Sequence, residues 1–137
     1  MEDKKGQSVV EIIFSIGVIT IVIVGIVSLV VNVINTKTNS LKRKSASEMG
    51  NILVENWIKE KTLRPDYFWG LVESESRLSG SSPEFAGYTY EVGFTAVVNG
   101  SIGCHNSPKD CANVIINIFW DSGEGNLSIT RFFSKKS

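Results

Sequence analysis

The sequence predicts an α+β fold: a long N-terminal helix that crosses a membrane with its first half and packs, with its second half, on a small antiparallel β-sheet. Three observations lead there. The run from Ile12 to Ile34 holds no charged residue and is mostly Ile and Val; beyond it apolar residues recur three or four positions apart as far as Pro65. The C-terminal third then shows three segments of alternating or β-branched residues separated by Gly, Ser and Asp. The implied organisation is a membrane-spanning helix at 7–34, its amphipathic continuation at 35–64, a connecting loop at 65–87 and a sheet-forming head at 88–137.

The apolar run is long enough to cross a bilayer, since about 20 residues at about 1.5 Å each span a hydrocarbon core of about 30 Å. Apart from Phe14 and Leu29, its large apolar residues are all Ile or Val. These are middling helix formers in water. In lipid, every peptide group must be satisfied within its own segment, so the helix prevails and Gly17 and Gly25 are tolerated. A cleaved secretory signal needs a shorter apolar stretch ending in small residues, whereas this one runs on into Asn32, Asn35 and Lys37. Immediately before the run stands Glu11. A carboxylate at the edge of a hydrocarbon segment costs up to about 3 kcal/mol unless it is neutralised or paired. A simple anchor has no reason to keep it, so Glu11 calls for a partner.

Past the run, Leu41, Ser45, Met49, Ile52, Leu53, Asn56 and Trp57 form a moderately apolar stripe expected to pack on the strands, while Lys42, Arg43, Lys44, Glu48, Glu55 and Lys59 face elsewhere. Pro65 stops the helix at about Leu63, because the residue before a proline is pushed out of the helical region. The next stretch loses periodicity and collects prolines, glycines and serines. It reads as a loop with one short helix at Leu71 to Leu78, and the trio Tyr67, Phe68 and Trp69 is expected to cap the core, with a binding patch as the alternative. Strands are expected at Tyr88 to Val98, with Tyr88, Tyr90, Val92, Phe94, Ala96 and Val98 on one face, at Asn113 to Trp120, and at Leu127 to Phe133. Asp121 to Asn126 supplies turn residues between the last two.

Cys104 and Cys111 stand in a loop of Gly, Asn, Ser and Pro and suggest a small disulfide, worth roughly 2.5 kcal/mol in the chain-entropy model. Such a bond implies an oxidising, extracytoplasmic location. Unpaired thiols are one alternative. A metal site of Cys104, His105, Cys111 and Asp110 is another, and it lacks a fourth soft ligand. Catalysis finds no footing. His105 is the single histidine, and the sequence contains no nucleophile elbow, no phosphate-binding glycine loop and no acid pair that can be placed in a cleft. With 14 basic and 14 acidic residues the chain is neutral, which excludes a strongly basic nucleic-acid surface. The sequence thus points to a protein that is not an enzyme and takes no cofactor.

The tract Lys4-Lys5-Gly6-Gln7-Ser8-Val9-Val10-Glu11, followed by the apolar helix, resembles the prepilin cleavage and methylation motif of type IV pilins and type II secretion pseudopilins. The closing segment from Val114 to Phe133, a strand ending in Trp, a Gly-rich turn and a final strand, is similar to the hairpin of minor pilins and pseudopilins. The resemblance implies a pilin-like fold with a leader at 1–6. A membrane-embedded prepilin peptidase would cut between Gly6 and Gln7, Gln7 would be N-methylated, and the helix would become a filament core. Glu11 would be the glutamate that receives the new amino terminus of an incoming subunit. The family's usual first residue is Phe and its leaders are usually basic; Gln7, Glu2 and Asp3 depart from that. Further partners implied are other pilin or pseudopilin subunits, an inner-membrane assembly platform, and the lipid bilayer before assembly. The helix lacks the proline many major pilins carry, which favours a minor subunit.

Orientation is contested within the sequence. Lys37, Lys42, Arg43 and Lys44 outnumber Lys4 and Lys5, and charge counting alone places the head in the cytoplasm. The leader motif and the cysteines place it on the far side, and that reading is preferred. The other functional class is a single-pass, membrane-anchored binding module that never polymerises.

Overall fold

The structure is a computed structural model that describes residues 4–97, 104 and 110–135, and of residues 4–7 the backbone alone. The chain forms two compact units, Met1–Leu41 and Lys42–Ser137. Helix α1 (Lys4–Leu63) belongs to both; α2 (Pro65–Glu73), β1 (Arg77–Ser81), β2 (Tyr88–Ala96), β3 (Cys111–Trp120) and β4 (Gly125–Ser134) complete the second. The class is α+β, with a long apolar N-terminal helix and a four-stranded antiparallel sheet.

In the first unit α1 has the residues that lipid requires. From Val9 to Ile34 its large apolar side chains are 47% (Val18) to 74% (Phe14, Ile21) exposed. Its hydroxyls turn back onto the helix: Ser15 Oγ donates to the Glu11 carbonyl at 2.8 Å, Thr20 Oγ1 to Ile16 at 2.8 Å and Thr36 Oγ1 to Asn32 at 2.9 Å. Polar groups satisfied within one helix are compatible with hydrocarbon surroundings. Among the described residues, α1 is the one helix long and apolar enough to cross a membrane.

In the second unit the sheet order is β1-β2-β3-β4, every neighbouring pair antiparallel. The two helices cover one face. Ala46, Met49 and Val54 of α1, Phe68 and Val72 of α2, Val92 and Phe94 of β2, Val114, Ile116 and Ile118 of β3, and Phe133 of β4 form the core. In β2 and β3 burial alternates as the pleat demands, with Val92, Phe94, Val114, Ile116 and Ile118 inward.

The buried face of α1 is rotated from the expected stripe. Ala46, Met49, Gly50 and Val54 are buried, whereas Leu41, Ile52 and Asn56 are exposed. Small residues explain the rotation. A Cβ at Gly50 would overlap the Ile129 side chain and lie 3.1 Å from Ile118 Cδ1, so the bare backbone at Gly50 leaves room for the ends of these two isoleucines against the helix.

The stretch expected as a loop is more ordered than the sequence implies. Pro65 ends α1 at Leu63 and also opens α2, since its missing N–H and fixed φ suit a first helical turn. The expected helix at Leu71 to Leu78 is thus displaced toward the N-terminus, and Leu78 lies in β1 instead. α2 buries Phe68 and Val72, one turn apart. The aromatic trio divides: Phe68 is fully buried, Trp69 packs against the core, and Tyr67 is 46% exposed beside the Arg64 guanidinium. Arg64 forms a two-pronged pair with Glu60, at 2.8 and 2.6 Å, which raises its pKa above the ordinary arginine value.

β2 ends at Ala96, and Val98 lies outside the described residues. β3 begins at Cys111 and β4 at Gly125, each slightly earlier than expected. Between them Asp121, Ser122 and Gly123 take φ of 52°, 57° and 97°, the left-handed region that Asp, Ser and Gly tolerate best. Lys42 Nζ donates to Asp121 Oδ2 at 2.6 Å and Tyr88 Oη to the Lys42 carbonyl at 3.2 Å, tying this turn and β2 to the start of the head helix.

Candidate assembly site

The sequence marks Gly6, Gln7 and Glu11, and α1 carries all three. The Gly6–Gln7 bond lies near the helix's first residue, Lys4. Gln7 and Glu11 are four positions apart, which places them on one face of the helix, one turn from each other. The Glu11 side chain is exposed, between Val10 (66% exposed) and Ile12 (56% exposed). Among the described residues, no ion pair reaches its carboxylate.

Beside it the helix presents an apolar hollow that sequence reasoning did not single out. Val10, Ile13, Phe14, Gly17, Val18 and Ile21 line it, and nothing stands within 4 Å of the space a Gly17 side chain would fill. Phe14 and Val18 follow Glu11 at the third and seventh positions, so the carboxylate flanks this hollow. A notch at a small residue lets another helix approach closely where no hydrophobic drive separates helix from lipid. The N-terminal part of α1 therefore carries a charge at the margin of an apolar surface that has a place for close contact.

The second marked pair, Cys104 and Cys111, forms a disulfide with Cα atoms 5.7 Å apart. Cys111 is fully buried at the start of β3 and pairs in register with Ser134 of β4, so the bond fastens the incoming loop to the sheet end. It also commits both sulfurs that the zinc arrangement would need. His105 lies outside the described residues. Among the described residues, no cluster of His, Cys, Asp and Glu could hold a metal ion.

Comparison with family models, curated proteins and solved structures finds no match to this chain.

Proposed function

We propose that the chain is a structural subunit, a minor pilin or pseudopilin, that waits in the membrane, is cut between Gly6 and Gln7 by a prepilin peptidase, and polymerises through α1 into a type IV pilus or a type II secretion-like pseudopilus. The observation that carries the reading is Glu11, an exposed carboxylate on an otherwise apolar helix surface, one turn after the residue that cleavage would free. In a staggered bundle the methylated amine of an incoming Gln7 meets Glu11 of the subunit before it. An unpaired charge that costs free energy in lipid then becomes the contact that sets register. The Gly17 hollow next to it gives the neighbouring helix a seat.

The disulfide supports a head outside the cytoplasm, since such bonds persist in oxidising compartments. It weighs against the orientation suggested by Lys37 and the Lys42 to Lys44 cluster. Before assembly the partner of α1 is the bilayer; afterwards it is the helices of other subunits.

The test is Glu11→Ala, scored separately for membrane insertion and for incorporation into sheared filaments. Insertion persists and incorporation is lost. Normal incorporation of this variant would contradict the reading.

A further inference from the structure

The face of the sheet turned away from the helices carries the side chains that alternate with the core residues. At its centre they stand in cross-strand pairs, Thr89 with Phe119, Glu91 with Asn117 and Gly93 with Ile115. Gly93 departs from strand chemistry, since a glycine inside a strand weakens it and often marks a place where a ligand approaches closely. A Cβ there would meet nothing nearer than the Ile115 carbonyl oxygen, at 4.0 Å, so the position opens onto a hollow of about 250 Å³. Thr95, Asn117, Glu75 and the Arg77–Glu91 ion pair, 3.4 Å between charged atoms, also line it. Among the described residues, the Asn117 amide and the Thr95 hydroxyl have no hydrogen-bond partner. Glu75 stands just past α2 with φ 47°, where glycine is usual. A missing side chain where strands favour one, and a side chain where helix ends favour none, meet in the same hollow.

We infer that this face binds a neutral carbohydrate chain, with one sugar unit in the Gly93 hollow and another in the hollow next to it. The second hollow, of about 480 Å³, includes the row Ser81, Thr89 and Phe119, which crosses three strands. Ser122 also lines it, and no charged side chain does. Thr89 and Gly93 are four positions apart on β2, so the two hollows lie roughly 13 Å from each other along the strand and an extended ligand reaches both.

The lining chemistry selects this ligand. Asn117, Thr95, Thr89 and Ser81 each donate and accept, as sugar hydroxyls do, and the paired Arg77 guanidinium and Glu91 carboxylate present a donor fork and an acceptor side by side. Ile115 and Phe119 offer apolar surface to the C–H face of a sugar ring. With two carboxylates against one guanidinium, the first hollow repels phosphates and acidic polymers; the uncharged second hollow has nothing to hold an ammonium group. The site lies wholly within the head, so it does not depend on whether the chain polymerises.

The experiment uses the full chain in phosphatidylcholine nanodiscs, which carry no sugar, and saturation-transfer difference NMR with two neutral probes, cellohexaose and chitohexaose. Hyaluronate and an oligolysine peptide serve as charged counterparts. Saturation passes to at least one neutral probe and to neither charged one. Gly93→Val puts a β-branched side chain into the hollow at a strand position that favours it, so it abolishes transfer without lowering the unfolding midpoint. Asn117→Ala weakens binding about tenfold, the scale of one lost hydrogen bond, and keeps the test decisive should valine disturb the sheet. No transfer to either neutral probe overturns the inference. Transfer that both variants leave unchanged overturns it too, as does transfer to hyaluronate or oligolysine alone. None of these results bears on cleavage between Gly6 and Gln7, so the assembly reading stands or falls separately.

Discussion

Phe68→Ala is expected to be the most damaging single truncation in the head. The ring is fully buried and has four aromatic neighbours: Phe133 at 5.2 Å, Trp69 at 5.3 Å, Phe94 at 5.9 Å and Trp57 at 6.5 Å between centroids. The Trp69 and Phe94 contacts are edge-to-face, at 85° and 84°, the arrangement that the ring quadrupoles favour. Truncating a buried Phe costs about 3–5 kcal/mol in lost transfer energy and residual cavity. A domain the size of this head is stable by roughly 5–15 kcal/mol in total. At about 4–8 °C per kcal/mol, the midpoint should fall by at least ~12 °C. The assay is thermal unfolding of the full chain in detergent, followed by near-ultraviolet circular dichroism so that the signal comes from the packed aromatics. Tyr67→Ala is the control, because Tyr67 is 46% exposed and its ring lies 5.0 Å from Arg64. It should cost no more than about 1 kcal/mol, the scale of an exposed cation–π contact. Equal losses from the two variants, or a shift under about 5 °C for Phe68→Ala, would refute the placement of α2 as the plug of the core.

Three further outcomes are expected. Gly50→Leu drives a branched side chain into Ile129 and Ile118, and the overpacking should destabilise the head by about 1–3 kcal/mol despite leucine's better helix propensity; a more stable variant would contradict the close helix-sheet approach. Replacing Cys104 and Cys111 together by Ala removes roughly 2.5 kcal/mol of loop constraint, to be read as a lowered unfolding midpoint, and an unchanged midpoint argues against a structural role for the bond. Glu11→Gln, which keeps shape and removes charge, should lose filament incorporation as Glu11→Ala does, while Glu11→Asp retains part of it; normal incorporation of the Gln variant would mean that charge is not what the site supplies.

What could be read from the sequence was whatever large apolar residues and prolines control. The run from Ile12 to Ile34, the stop before Pro65, the inward faces of β2 and β3, and the Cys104–Cys111 bond all follow from local chemistry. The misread parts depend on small residues and on tertiary pairing. Ala46 and Gly50 add little to an apolar stripe, yet they lie on the side of α1 that meets the sheet, where their small size leaves room for the Ile118 and Ile129 side chains. β1 is Arg-Leu-Ser-Gly-Ser, with almost no strand propensity, and its register against β2 makes it a strand. Pro65 was readable as a stop and equally as a start. At the assembly site, Glu11 was visible as a misplaced charge, whereas the Gly17 hollow needed the helix surface around it.

Cleavage between Gly6 and Gln7 is the event that would turn an anchored chain into a filament subunit. Intact-mass spectrometry of the chain recovered from its native membrane measures it directly. The account predicts loss of Met1 to Gly6 and a methyl group on Gln7. A chain that keeps Met1 to Gly6 would contradict it and favour a membrane-anchored binding module.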